Sequence, residues 1–176
     1  MSHPLSSLEP RFLGALTLRF AALLVFSTAL MVFVDVPLQG EAAPWGIVSF
    51  ELAGTPHRAL AILLEWQNKS VLGHAELSLI IDFVYLLIYG MFFSTLAIWV
   101  GKRLAEETWS VRAAWSATLA AGFDVLENGV LLFEVVRFTS PAPYPQIALT
   151  FAGAKFGLLG LSALYGVVGG TMAVRR

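Results

Sequence analysis

The chain places Asp124, Glu127 and Asn128 inside the otherwise apolar stretch A-G-F-D-V-L-E-N-G-V-L-L, residues 121 to 132. Spacings of three and four residues bring these side chains to one face of a helix. Two carboxyl groups and an amide on one face are the elements of acid and base chemistry, of proton relay or of cation binding, because carboxyl groups pushed apart in pKa take opposite roles. At the centre of a bilayer each charge costs roughly 2.5 to 3.5 kcal/mol. An ionisable group there needs a partner, a proton or water, and marks a functional site by default.

Composition makes hydrocarbon the expected surroundings. The chain is 57% hydrophobic and 13% charged, with a mean hydropathy of +0.76, whereas soluble domains carry about 25% charge. Four stretches reach the roughly 20 residues that cross about 30 Å of hydrocarbon, at residues 13–34, 77–100, 111–133 and 147–174. The expected fold class is an all-α integral membrane protein, a four-transmembrane-helix bundle forming a single membrane domain over residues 1–176. Arg11 and Arg19, followed by the small residues Gly40, Ala42 and Ala43, imitate a secretory signal. The apolar run reaches back to Phe12, however, and Asp35 and Glu41 make a poor cleavage site, so a retained helix is expected. Arg19 then snorkels to the nearer interface.

The basic residues set the orientation. Arg11, Arg19, Lys102, Arg103, Arg112, Arg175 and Arg176 fall on one side of the spans, against Arg58, Lys69 and Arg137 on the other. The expectation is a multi-pass protein of the bacterial inner membrane with both termini cytoplasmic. In that topology a rise of 1.5 Å per residue puts Asp82 about 8 Å below the outer surface, Glu127 and Asn128 about 8 to 9 Å, Lys155 about 12 Å and Asp124 about 13 Å. Four polar positions on three helices thus share one layer, and Asp35 closes the first span just above it. Tyr85 and Tyr89 follow Asp82 on the same helix face, as donors to a ligand or as partners across helices. Asp82, Asp124 and Glu127 outnumber Lys155, an excess that protonation or a bound cation must meet.

Several chemistries are excluded. Cysteine is absent, which removes disulfides and thiolates. His3, His57 and His74 all fall outside the predicted core, and no Glu-x-x-His pair exists, so neither a zinc or di-iron site nor any cofactor is expected. Only a hard cation held by oxygens stays open. The basic residues form no stripe that could track phosphates, which removes nucleic acid as a partner.

Between the first two spans, Thr55 followed by Pro56 signals a helix start. An amphipathic interfacial helix over about residues 56–68 is expected, with Ala59, Leu60, Leu63, Leu64 and Trp66 on its apolar face and Trp66 at headgroup level. Asp35, Glu51 and Trp66 are the expected rim or lid of the polar layer. In the fourth span the pairs Gly153 with Gly157 and Gly166 with Gly170 read as helix-packing faces.

Taken together, F-E-L-A-G-T at Phe50 to Thr55, the helix at Ile62 to Trp66, I-D-F-V-Y-L-L-I-Y at Ile81 to Tyr89, F-D-V-L-E-N at Phe123 to Asn128, and Lys155 resemble a family of small four-span bacterial membrane proteins. That resemblance implies the fold and brings no activity. The arrangement of four helices, with Asp35 ending the first, a long outer loop, and Glu76 and Asp82 on the second, is similar to the sterol-isomerase and sigma-2-receptor superfamily. It implies a lipid or sterol-like ligand in an acid-lined cavity, and the departure lies in the third and fourth helices. Three readings stand: a protein that binds or transports a small hydrophobic or cationic ligand among membrane lipids; a structural or accessory subunit, homo-oligomeric or part of a complex; and an intramembrane acid and base enzyme such as a lipid isomerase.

Overall fold

Residues 2–175 are described in the computed structural model, the side chain of Val174 excepted. The order of α-helices is α1 (Pro10–Asp35), α2 (Ile47–Glu51), α3 (Pro56–Asn68), α4 (Leu72–Leu104), α5 (Thr108–Arg137) and α6 (Tyr144–Val174), with short 3-10 turns at Pro4–Ser7 and Val36–Leu38. No strand occurs among the described residues. Among them, three helices are long and apolar enough to cross a membrane, over Pro10–Leu38, Leu72–Leu104 and Tyr144–Ala173. The expected fourth, α5, matches them in length, but Asp124, Glu127 and Glu134 interrupt its apolar sequence. Large apolar side chains on α1 point away from protein, with Leu18 at 73% and Phe33 at 77% exposure, as a helix face in contact with hydrocarbon requires.

The chain divides into two compact units, one of Ser27–Tyr85 and Phe123–Ala154, the other of residues up to Phe26, Leu86–Gly122 and residues from Lys155. Their sequences differ sharply in charge. The first holds nine acids (Asp35, Glu41, Glu51, Glu65, Glu76, Asp82, Asp124, Glu127 and Glu134) against Arg58, Lys69 and Arg137, a formal charge of −6. The second holds eight basic residues (Arg11, Arg19, Lys102, Arg103, Arg112, Lys155, Arg175 and Arg176) against Glu9, Glu106 and Glu107, a formal charge of +5. They are called here the acidic and the basic unit.

The core of the acidic unit is built around α3. Ile62, Leu63 and Trp66 pack with Leu38, Ile47, Phe50, Leu79 and Leu131. Trp66 is wholly buried, its ring edge-on to Phe50 at 5.4 Å and its Nε1 donating to Leu38 O at 2.8 Å. This corrects the expectation of Trp66 at headgroup level. The apolar stripe is present, but protein covers it, and the stripe is centred on Ile62 while Leu60 and Leu64 stay exposed. The cover is the segment between α1 and α3, pinned by polar contacts. Glu65 accepts from Glu41 N at 3.0 Å and Ala42 N at 2.7 Å, Lys69 pairs with Glu65 at 2.6 Å, and Lys69 donates to Gln39 O at 3.0 Å. A Cβ at Gly40 would collide with the Glu65 carboxylate and the Lys69 ammonium, so the segment lies flat only with glycine there. The Lys69 ammonium, hydrogen-bonded to Glu65, holds that carboxyl below its usual range.

Asp35 joins α1 to α2. Its Oδ1 accepts from Ile47 N at 2.7 Å, which caps the first turn of α2. Gly46, at φ +55°, lies against the same carboxylate, where any side chain would clash. The ends of α3, α4 and α5 share another device. Val71 N bonds Trp66 O at 2.9 Å, Glu106 N bonds Gly101 O at 2.8 Å, and Thr139 N bonds Glu134 O at 3.1 Å. Each turn carries one left-handed residue, Ser70, Ala105 or Phe138, where glycine is usual.

The basic unit packs Leu13, Ala97, Ile98, Val111, Ala113 and Ala114. Its close approaches are at Gly101, where a Cβ would strike Ser110, and at Gly166 and Gly169, whose Cβ positions lie 2.8 Å from Leu96 and 2.5 Å from Val100. The expected packing faces are thereby corrected. Gly153, Gly157 and Gly170 face open space, and the residues pressed against α4 are Gly166 and Gly169, three apart rather than four.

Because Trp66 contributes both apolar area and a satisfied donor, Trp66→Ala is expected to destabilise the protein by about 3 to 5 kcal/mol. Trp66→Phe, which keeps a ring but orphans Leu38 O, should cost about 1 to 3 kcal/mol. Denaturation in detergent micelles reads both; a loss below that of Trp66→Phe for the alanine variant would contradict the packing described.

Candidate functional site

Burial of carboxyl groups distinguishes the acidic unit. Glu51, Asp82, Asp124, Glu127 and Glu134 are all buried in it, with Asp82 the most exposed at 8%. The Lys and Arg side chains of the same unit, Arg58, Lys69 and Arg137, are exposed. Among the described residues of the whole chain the buried cationic side chain is Lys155, at 5% exposure.

The acids sit where helix periodicity sends them. On α5, Asp124, Glu127 and Asn128 repeat at three and four residues together with the core positions Leu131 and Val135, so one stripe is apolar toward its C-terminal end and polar in its middle. On α4, Asp82 follows Leu79 and Ser78 on the buried face. The two stripes meet at a hydrogen bond in which Asn128 Nδ2 donates to Asp82 Oδ2 at 2.6 Å. Donation through nitrogen turns the other end of the amide away, and Asn128 Oδ1 is buried with no hydrogen-bond partner. A buried acceptor in that state favours any incoming donor.

Tyr85 belongs to this unit and bonds through its hydroxyl to Thr28 Oγ1 at 3.2 Å, tying α4 to α1. Phe123 and Phe151, with ring centroids 6.0 Å apart, pack α5 against α6. Of the proposed rim, Glu51 is buried at the end of α2, Asp35 is partly exposed and spends an oxygen on capping α2, and Trp66 is core. Tyr89 and Lys155 fall in the basic unit, both buried there, with Lys155 Nζ 4.7 Å from the Phe156 ring.

Glu134 escapes the sequence reading. It is wholly buried and accepts a short hydrogen bond from Ser140 Oγ. The available signal was its position seven residues after Glu127, two helical turns along the same face. It lies one residue past the end of the expected third span, residues 111–133. No group of three or more His, Asp or Glu side chains among the described residues has the arrangement of a metal site.

A second polar site lies in the basic unit, and it corrects the placement of His3 outside the core. The 3-10 turn at Pro4–Ser7 folds the N-terminal segment against the helices, and His3 is 6% exposed. Its Nδ1 accepts from Leu5 N at 3.3 Å, so the neutral ring carries its proton on Nε2, which donates to Thr118 Oγ1 at 3.3 Å. The ring stands edge-on to Trp115 at 5.0 Å. Thr118 and Ser94 both bond Ala114 O at 3.1 Å, and each lies ten residues from its helix end, about 15 Å along the axis. His3, Ser94 and Thr118 border a largely apolar cavity of about 280 Å³ lined by Leu86, Leu87, Gly90 and Met91. With its proton on Nε2, His3 cannot act as a base toward Thr118.

Burial pushes the His3 imidazole below its ordinary value of 6.5. The folded pKa is thus the lower one, so in acid the released segment binds more protons than the docked one. Docking is fully stable above about pH 6.5 and weakens as pH falls through the folded pKa. Hydrogen exchange at Leu5 and Leu8 should show protection that drops between about pH 7 and pH 5, and His3→Gln should remove that pH step; an unchanged profile in the variant would refute the assignment. At the acid set, Asn128→Ala should lower stability by about 1 kcal/mol, by removing one partner of Asp82, as detergent-phase unfolding would measure.

No protein-family model, no curated protein and no solved structure matches this chain.

Proposed function

We propose that the chain is a multi-pass protein of the bacterial inner membrane whose acidic unit binds a small cationic or hydrogen-bond-donating ligand in exchange for protons. In this reading α5 crosses the bilayer beside the three more apolar helices, with both termini cytoplasmic. The basic residues at the starts of α1 and α5 and at the ends of α4 and α6 favour that orientation. Intramembrane ionisable groups on α5 are then its functional positions rather than an obstacle to crossing.

The observation that carries the reading is the count of buried charge. Five carboxyl side chains, Glu51, Asp82, Asp124, Glu127 and Glu134, are buried against one lysine, Lys155. A low-dielectric interior does not hold an excess of four negative charges, so protons or a bound cation make up the difference. Asn128 Oδ1 adds a buried acceptor that a donor would satisfy. A packing network alone gains little from this composition, because interhelical polar bonds in membranes average only about 0.6 kcal/mol.

The test is infrared spectroscopy of the purified protein in detergent near neutral pH, with a hydrophobic quaternary ammonium and a primary amine of similar size as probes. Wild type should show protonated carboxyl absorbance that falls, with release of protons to the medium, as a probe is added. Glu127→Gln and Asp124→Asn should each remove part of that absorbance and weaken the response about tenfold or more, the equivalent of about 1.4 kcal/mol. Carboxyl absorbance that neither probe alters would leave a structural network, and the binding reading would fall.

A further inference from the structure

The basic unit contains an open groove of about 670 Å³ between α5 and α6, whose lining includes no residue of the acid set. One wall is α6, through Leu161, Leu164, Val168 and Met172; the other is α5, through Trp109 and Arg112. The α6 residues are apolar and well exposed, Leu161 at 61% and Leu164 at 62%. From Leu161 to Met172 the helix rises about 16 Å, which matches half of a hydrocarbon core of about 30 Å. The groove is therefore as long as one acyl chain in one leaflet.

Its two ends differ. At the end near the start of α5, the Arg112 guanidinium stacks on the Trp109 ring at 4.7 Å. Arg and Trp are side chains that settle at headgroup level. Among the described residues Arg112 forms no salt bridge. The one acid that borders the groove, Glu106, is already engaged, accepting from Trp109 N at 2.9 Å, Ser110 N at 3.2 Å and the Tyr165 hydroxyl at 3.2 Å. Lys102, Arg103 and Arg175 belong to the same unit, whose formal charge is +5.

We infer that this groove is a binding site for an anionic phospholipid, with the phosphate at Arg112 and one acyl chain laid along α6 from Met172 toward Leu161. An apolar channel of one leaflet's length that ends in a guanidinium without a carboxylate partner matches an anionic lipid in both of its parts. The inference rests on α6 spanning a bilayer and is independent of ligand binding at the acid set.

Native mass spectrometry of the detergent-purified protein, titrated with phosphatidylglycerol and with phosphatidylcholine of the same chains, tests it. One phosphatidylglycerol should be retained in preference to phosphatidylcholine. Arg112→Gln should reduce that preference about fivefold, the effect of one cation near an anionic surface, and Arg112→Lys should restore most of it. Leu164→Trp, which fills the apolar channel, should lower retention of both lipids, and inorganic phosphate should not displace the bound lipid. Equal retention of the two lipids, an undiminished preference in Arg112→Gln, or displacement by inorganic phosphate would each overturn the assignment. Labelling of the single-cysteine variants Ala142→Cys and Arg175→Cys with a membrane-impermeant reagent, which should reach them from opposite sides of the membrane, tests the spanning of α6 separately, so its failure is distinguishable from failure of the site.

Discussion

A carboxyl group kept from water must be neutralised, solvated by protein dipoles or matched by a cation, and in this chain five such groups are buried. Much of the acidic unit can be understood from that constraint. The bond from Asn128 to Asp82 supplies a dipole where the polar faces of α4 and α5 meet. Ser140, from the turn after α5, supplies another to Glu134. The left-handed Phe138 makes this possible, because it reverses the chain tightly enough to return Ser140 to the helix it has just left.

Around these groups the unit is stiffened by apolar packing of ordinary kind. Trp66 fills the centre of the core and fixes the chain at Leu38, while Glu65 and Lys69 on the next turn hold the following residues flat. The long connection between α1 and α3 is thus a structured cover with few degrees of freedom. Its two critical glycines, Gly40 and Gly46, stand where a carboxylate occupies the space of a side chain. Polar contacts at the surface and an indole at the centre do complementary work, the first setting where the segment lies and the second how tightly.

The parts of this architecture readable in the sequence were those that depend on local periodicity. The lengths of the apolar runs located the long helices, Thr55 and Pro56 located the start of α3, and spacings of three and four put Asp124, Glu127 and Asn128 on one face. What the sequence left open was the identity of the neighbours. A helical apolar stripe is the same pattern whether lipid or protein covers it, so Trp66 read as a membrane anchor while it is core. Glycine spacing shows that a close approach is possible and not which partner makes it, which is why Gly166 and Gly169 were separable from Gly153 and Gly157 only in three dimensions. His3 has no periodic context at all; its position follows from a 3-10 turn that docks Leu5 and Leu8 on the helices. Glu134 shows a different limit, since it lies one residue past the apolar run while the helix continues to Arg137.

The junction at Asp35 has a mechanical side. A single carboxylate ends α1 and holds the first amide of α2, and Gly46 leaves no slack between them. A helix in a bilayer tilts to match its hydrophobic length to the thickness of the hydrocarbon. If α1 tilts, α2 is turned with it, because Asp35 holds Ile47 directly and the segment between them is pinned to Glu65. The last residue of α2 is the buried Glu51, so a change in bilayer thickness would reach an ionisable side chain through a rigid lever only a few residues long.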